Sequence, residues 1–311
     1  PASANTLAKI ANGIADNLLT NLAAARKCPL AVAPAMNVEM WFNSANLRNI
    51  AQLQADGITV FPPASGEQAC GEVGVGRMPE AAELADLLPD LWTSKSLQGK
   101  KVLITAGATF EAIDPVRGIT NLSSGKMGFS IARAAQAAGA SVTLVAGPVH
   151  LPTPRGVRRI NVQSARDMLA AVQSALEDVS IFIAAAAVAD WRPADFSTKK
   201  IKKDGSGAVP SLAFVENPDI LATVANSERA QQGQLYCVGF AAESDNLLAH
   251  ASAKRVRKNV PLLVGNIGPA TFGQDDNTLL LIDAHGSSAL PRASKAQLGH
   301  ALIAEIARRL P

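Results

Sequence analysis

The chain has 311 residues, 48% apolar and 18% charged, with 29 Lys and Arg against 26 Asp and Glu for a net charge of +3. That length accommodates two hydrophobic cores, the charge is too small to argue for nucleic acid as a partner, and no apolar run is long enough to span a bilayer. Aromatics are scarce, so small aliphatics must carry the packing. The three cysteines (Cys28, Cys70, Cys237) lack metal-ligand spacing and point to a reducing, cytosolic setting rather than a disulfide framework.

The chain opens without Met at Pro1-Ala-Ser-Ala-Asn-Thr6, a segment expected to follow further residues upstream. Leu7, Ile10, Ile14, Leu18 and Leu22 fall at helical spacing across residues 7–25. Pro29–Pro34 predicts a short buried strand, residues 45–54 a helix, and Gly57–Phe61 another strand. A glycine-rich loop is expected over Ser65–Gly76 and a helix from about Pro79 to Trp92, making the back half of an α/β layer. Thr93–Lys100 is polar and without periodicity, so the expected division is a partial first domain over 1–94, a linker over 95–100 and a second domain over 101–311.

A fresh α/β series starts at Lys101. Strands are expected near 101–106, 141–146, 157–161 and 179–186, with helices near 124–138 and 164–177. Strand 235–240, helix 246–256, strands 261–265 and 278–283 and a terminal helix 293–310 complete the pattern. Such alternation predicts a parallel sheet with right-handed crossovers. Ligands of open parallel sheets bind beyond the carboxyl ends of the strands, which puts the loops after Ala106, Ala187, Phe240 and Val264 on the binding edge.

Within this series Ile119-Thr-Asn-Leu-Ser-Ser-Gly-Lys-Met-Gly128 carries the strongest signal. A helix opening at Ser123-Ser124-Gly125 offers free backbone N–H groups to an anion, with Lys126 adding charge and Asn121 an amide. It is neither a Walker loop, since Gly118 lies too far from Gly125 and Met127 follows the lysine, nor a Gly-x-Gly-x-x-Gly turn. The plainer alternative is a helix simply capped by Ser123 or Ser124. Lys254 and Lys258 are four apart, on one helical face, and Lys199–Lys203 adds a second basic block; polyphosphate ligands need such local charge.

Three early motifs, Pro1-Ala-Ser-Ala-Asn-Thr6, Pro34-Ala-Met-Asn-Val-Glu-Met-Trp41 and Ala69-Cys-Gly71, resemble in this order the flavin-dependent cysteine decarboxylases. The resemblance implies half of a flavodoxin-like layer in which Ser3, Asn5, Thr6 and Met36 belong to the FMN and substrate pocket. It implies that Asn37 holds the carboxylate to be lost and that Cys70 gives a proton to the ene-thiol intermediate, a step that suits a thiol of tunable pKa. The family's catalytic histidine lies upstream of these motifs, and none of His150, His250, His285 and His300 is in its place, so decarboxylation by the chain as given is expected to be impaired.

From Lys101 onward the chain resembles phosphopantothenate–cysteine ligases, which bacteria fuse behind the decarboxylase. The carrying blocks are Thr105–Thr109, Ile113-Asp-Pro-Val-Arg117, Ile119–Gly128, Ala184–Asp190, Lys200-Ile-Lys-Lys203, Asn217-Pro-Asp-Ile220, Val238–Glu243 and Lys254–Lys258, with Asn266 after the next strand. The resemblance implies a Rossmann-like domain that joins 4′-phosphopantothenate to cysteine through an acyl-cytidylate formed from CTP, with Mg²⁺ bridging the phosphates. Ala184, Ala185, Ala186, Asp190, Asn217, Pro218, Asp219, Ile220, Lys254 and Lys258 would line the nucleotide site, with Phe240 near the base and Lys200 over the phosphates. Asn121 would contact the acyl-nucleotide, and Ser123, Ser124, Gly125 and Lys126 the phosphopantothenate. Such enzymes self-associate, so a homo-oligomer is expected. Two other readings are a nicotinamide-dependent reductase, disfavoured by the missing glycine pattern, and a non-catalytic flavoprotein subunit, disfavoured by the lysine blocks.

Overall fold

The computed structural model describes residues 1–68, 71–202, 211–243, 246–267 and 274–310. They form two compact units, Pro1–Thr93 and Ser94–Pro311.

The first unit runs α1 (Ala4–Ala11), α2 (Leu18–Ala25), β1 (Ala31–Val32), α3 (Val38–Phe42), α4 (Ser44–Ala55), β2 (Thr59–Val60), β3 (Ala64–Glu67), β4 (Val73–Arg77) and α5 (Ala81–Leu87), closed by a 3₁₀ turn over Leu88–Leu91. β1 and β2 pair in parallel, and Ala2 bridges to Pro34 in the same sense, so the chain enters α1 straight from a sheet position. Leu7 and Leu53 are fully buried, with Val32, Ile50 and Ile58 packed around them.

The single helical face expected over 7–25 is broken in two. Gly13 turns at φ +68, and Asn17 starts α2 through a capping box with Thr20. Leu18 and Leu22 are consequently exposed, at 76% and 62%. The expected loop over 65–76 is instead the antiparallel hairpin β3–β4. Its glycines are what the packing requires: a Cβ at Gly76 would lie 2.2 Å from the Met36 carbonyl oxygen, and one at Gly74 would lie 2.9 Å from Val38.

The second unit contains β5 (Lys101–Ala106), β6 (Phe110–Ala112), β7 (Gly118–Thr120), α6 (Lys126–Ala137), β8 (Ser141–Ala146), β9 (Val157–Asn161), α7 (Ala165–Ala175) and β10 (Ile181–Ala184). It continues with β11 (Trp191–Pro193), β12 (Phe214–Glu216), α8 (Ile220–Ala225), α9 (Glu228–Gln231), β13 (Tyr236–Glu243) and α10 (Leu247–Lys258), then β14 (Leu262–Ile267), β15 (Asp276–Asp283), β16 (Gly286–Ser294) and α11 (Lys295–Arg309). Eight strands form one sheet in the order β16-β15-β14-β13-β10-β5-β8-β9. The six from β14 to β9 are parallel, and β15 and β16 add antiparallel to the edge. Val102, Leu103 and Ile104 of central β5 are all buried, as a strand covered on both faces demands. α6 and α11 pack on one face of the sheet; α7, α8 and α10 pack on the other.

Residues 95–100 belong to this unit rather than hanging between two. Leu97 is fully buried in its core, the Leu97 N–H donates to Ala138, and Lys100 accepts from Ser141. β13 reaches Glu243 and β14 reaches Ile267, so Phe240 and Val264 lie inside strands and not in the loops beyond them. Residues 286–294 form the edge strand β16, where Pro291 is tolerated, so the terminal helix expected from 293 starts two residues later. α11 then starts at a capping box between Ser294 and Gln297.

α11 approaches α6 closely at Gly299, where a Cβ would stand 2.8 Å from the Ser130 carbonyl oxygen. Alanine in place of glycine gains about 1 kcal/mol of helix propensity, but forcing two backbones apart in a packed core costs about 1–3 kcal/mol. Gly299→Ala should therefore lower the denaturant midpoint of unfolding; a raised midpoint would show that this crossing is loose.

Candidate functional site

The second unit's site begins where β5 and β10 stop being regular strands. Their main chains stay laced: Ala185 N–H donates to the Thr105 carbonyl at 3.2 Å, Ala187 to Gly107 at 2.8 Å, and Thr109 to Ala187 at 3.3 Å. Two hydroxyls join the ladder, Thr105 Oγ1 accepting from Ala186 N at 3.3 Å and Thr109 Oγ1 from Ala189 N at 3.0 Å. Neither threonine was singled out as a site residue; both are buried, and their role is visible only in this pairing. Ala184 and Ala186 pack toward the α7–α8 face and Ala185 toward the α6 face, so the ribbon offers chiefly backbone.

From this ribbon the chain turns into the hairpin β6–β7, tied back by Thr120 Oγ1 donating to the Thr109 carbonyl at 2.8 Å. Asn121 follows, and its Nδ2 donates to the Ala187 carbonyl at 3.0 Å. The helix beyond is not capped by Ser123 or Ser124. Gly125 is the N-cap, at φ +77 with no side-chain cap bond, and Ser123 Oγ accepts only from the Gly125 N–H, at 3.4 Å. Glycine has no side chain to cap the first turn of α6, which therefore starts on main chain alone at its N-cap position. The helix start is drawn onto the end of β5, where a Cβ at Gly128 would lie 2.5 Å from that of Ala106. Lys126 Nζ sits there paired to the exposed Asp275 at 2.6 Å.

The residues expected to line a nucleotide site converge on the same strand ends. Asn217 N–H donates to the Asp190 carbonyl and its Nδ2 to that of Ala189, both at 2.8 Å, closing the hairpin β11–β12. After Pro218, Asp219 caps α8 with one oxygen, accepting from Ala222 N at 2.9 Å, and forms an ion pair with Lys258 through the other. Lys258 keeps only 17% of its side chain exposed; burial pulls its pKa down while the charge of Asp190 pushes it up. Lys254 lies one turn earlier on α10.

Two predicted residues are placed differently. Ile220 buries its side chain in the core beside Leu221 and Val224, leaving only its main chain for a ligand. Phe240 packs toward the α6–α11 cluster, on the opposite face of the sheet from α8 and α10. Lys200 is exposed on the segment 197–202, which returns over the β6–β7 hairpin with Ser197 N–H donating to the Ile113 carbonyl at 3.1 Å. The basic block's last member, Lys203, lies outside the described residues.

In the first unit, Ser3 caps α1 by accepting from Thr6 N at 3.3 Å, and the two hydroxyls lie 3.1 Å apart beside the exposed Asn5. Asn37 Oδ1 accepts from Glu39 N at 2.8 Å, and its Nδ2 donates to the Glu72 carboxylate. Met36 N–H donates to the Gly76 carbonyl at 2.9 Å, and Val38 N–H to Gln68 Oε1 at 3.0 Å. These bonds sew the Asn37 segment to the hairpin β3–β4. Cys70 itself lies outside the described residues. Of the other cysteines, Cys28 is exposed, and Cys237 is buried with its thiol pushed up to about 12 by desolvation. Among the described residues, no three His, Cys, Asp or Glu side chains are grouped to hold a metal ion, and no helix is long and apolar enough to cross a membrane.

Residues 97–310 match the family described as the DNA/pantothenate metabolism flavoprotein C-terminal domain, and residues 1–92 match the family described as Flavoprotein. The coenzyme A biosynthesis bifunctional protein CoaBC of Vibrio cholerae is 47% identical over 306 residues, covering 97% of this chain and 76% of the relative. That of Escherichia coli is 42% identical over 314 residues, 99% of this chain and 77% of the relative. The crystal structure of the C-terminal domain of a coenzyme A biosynthesis bifunctional protein CoaBC covers 70% of this chain and 98% of its own at a TM-score of 0.58, with 36% identity.

Proposed function

The chain belongs to the bifunctional coenzyme A biosynthesis family, and from that we infer a phosphopantothenate–cysteine ligase in the second unit and an FMN-dependent decarboxylase in the first. The observation that carries the ligase reading is the convergence, on one carboxyl edge, of the glycine-led α6 start with Asn121 on one side and Asp190, Asn217 and Lys258 on the other. An unactivated carboxylate cannot acylate an amine. We propose that the carboxylate of 4′-phosphopantothenate attacks the α-phosphorus of CTP and expels pyrophosphate. The amine of cysteine then attacks the acyl-cytidylate carbonyl, forming the amide and releasing CMP.

Both reactants of the first step are anions, so the protein's task is to neutralise charge where they meet. The α6 start, with Ser123, Ser124, Gly125 and Lys126, takes the phosphopantothenate end. Lys254 and Lys258 face the nucleotide phosphates, and Lys200 adds its charge over them. Asn121 stands between the two halves, its amide oriented by the Ala187 carbonyl. Mg²⁺ suits this chemistry when held mainly by phosphate oxygens and water.

In the first unit, the neutral donors Ser3, Asn5 and Thr6 at the start of α1 suit a flavin phosphate. A flavin held there would supply the oxidation of the substrate thiol that lets the carboxylate leave. We assign Asn37 to hold that carboxylate: its Nδ2 already binds one, in Glu72. Cys70 is assigned the proton that returns to the ene-thiol, and the two electrons taken from the thiol would come back from the reduced flavin to give the saturated product. The product, 4′-phosphopantetheine, then leaves. Self-association is supported by apolar side chains left in water, among them Leu18 on α2, Leu122 at 83% exposed and Trp191 on β11 at 59%. A cytosolic setting keeps the substrate cysteine reduced.

Supplied with 4′-phosphopantothenate, cysteine and Mg²⁺, the protein should release pyrophosphate with CTP, and much less with ATP or no nucleotide. Silence with every nucleotide would overturn the ligase reading. Lys200→Ala should lower kcat/KM for ligation at least about tenfold through lost phosphate stabilisation, and a near-normal value would remove Lys200 from the reaction. Asn121→Asp sets a carboxylate against both the Ala187 carbonyl and an anionic intermediate. Ligation at the normal rate by that variant would refute the placing of the anion.

A further inference from the structure

Asp114, on the turn between β6 and β7, is only 1% exposed and accepts from donors on two distant parts of the chain. Two donors are local, the N–H groups of Val116 and Arg117, both at 2.8 Å. The Arg117 guanidinium adds Nε at 3.0 Å and Nη2. The remaining donor is the N–H of Ile201, 87 residues away, at 3.1 Å. Arg117 Nη2 completes the grip by donating to the Ile201 carbonyl at 2.8 Å, so both polar groups of one strap residue are held by one ion pair.

We propose that Asp114 is a positioning residue for ligation: with Arg117 it latches the segment 197–202 onto the β6–β7 hairpin and so fixes where Lys200 delivers its charge. The assignment rests on the reading of Lys200 given above. Ile201 is the next residue after Lys200, so pinning its peptide on both sides leaves the lysine little but its own side-chain torsions to explore. The hairpin that holds the strap is itself tied to the alanine ribbon through Thr120, and Phe110 N–H donates to the Gln163 carbonyl at 2.8 Å. An unbroken set of hydrogen bonds thus runs from the strap to the strand ends where the nucleotide binds. The carboxylate is suited to the task because it presents about four lone-pair directions and no donor. An amide there would turn N–H groups toward other N–H groups. The Arg117 guanidinium holds the Asp114 carboxyl well below the usual carboxylate range, so the latch stays charged at any working pH.

The test uses two variants of the full chain. Asp114→Ala removes the acceptor; Ile201→Pro removes the strap's N–H and leaves the Asp114–Arg117 pair in place, which keeps the question answerable if the first variant folds poorly. Trypsin cleavage after Lys199 and Lys202, followed by mass spectrometry, should be at least about fivefold faster in both, since cleavage reports the opening of the segment. Each should also lose about tenfold in ligation kcat/KM. Combined with Lys200→Ala, each should lose almost nothing more, because a residue that acts only through Lys200 has nothing left to position. Unchanged cleavage, or costs that multiply with that of Lys200→Ala, would overturn the proposal while leaving the role of Lys200 intact. Normal ligation by Lys200→Ala together with faster strap cleavage would overturn the role of Lys200, and the positioning role with it.

Discussion

Everything at the ligase site depends on parallel pairing that outlasts the strands making it. Past Ala106 and Ala184 the two chains diverge in most open sheets, and the crevice that opens there receives a ligand. Here the peptides of 105–109 and 185–189 continue to exchange hydrogen bonds for several residues, aided by two buried threonine hydroxyls. Asn121 and Asn217 each donate a side-chain amide to a carbonyl of this ribbon, at Ala187 and Ala189. The proposed acyl side and the proposed nucleotide side are therefore referred to one common set of backbone atoms. Reaction geometry of this kind tolerates little error, since effective concentration falls steeply with misplacement.

Two lysines of the proposed site carry carboxylate partners. Lys126 meets Asp275, Lys258 meets Asp219, and Asp190 adds its field to Lys258. A lysine that is partly buried and unpaired tends to lose its proton. A carboxylate partner keeps it charged until an anionic ligand competes for it. Asp219 serves a second purpose by capping α8, which fixes the position of its other oxygen.

Much of this was legible from residues alone, and the reasons differ by element. β5 and β8 are largely apolar runs bounded by polar turns and fall where expected; β9 does too, although two arginines interrupt it. The motif Ile119–Gly128 marked a loop leading into a helix but not its cap, because serine is the commoner cap, while here Gly125 takes φ +77 and Gly128 meets Ala106. The hairpins β6–β7 and β11–β12 escaped because three-residue strands have no period to detect. β16 escaped because an edge strand need not be apolar. Periodicity misled over residues 7–25, where regular leucine spacing continues through a turn imposed by Gly13 and Asn17. The latch on Ile201 had no local signal at all, since its two halves are 87 residues apart.

The alanine ribbon has a consequence for how such a site is mapped. Residues 184–187 are already alanine, so truncating each side chain in turn, the usual survey of a binding surface, is blind to the segment on which both halves of the site converge. Its working parts are amide hydrogens and carbonyl oxygens. They answer to changes that alter the backbone itself, such as an ester in place of a peptide, or to bulk that prises the two chains apart. A catalogue of important positions drawn from side-chain removal would find a ring of asparagines, aspartates and lysines around a silent centre, and the silence would mark the frame rather than a gap.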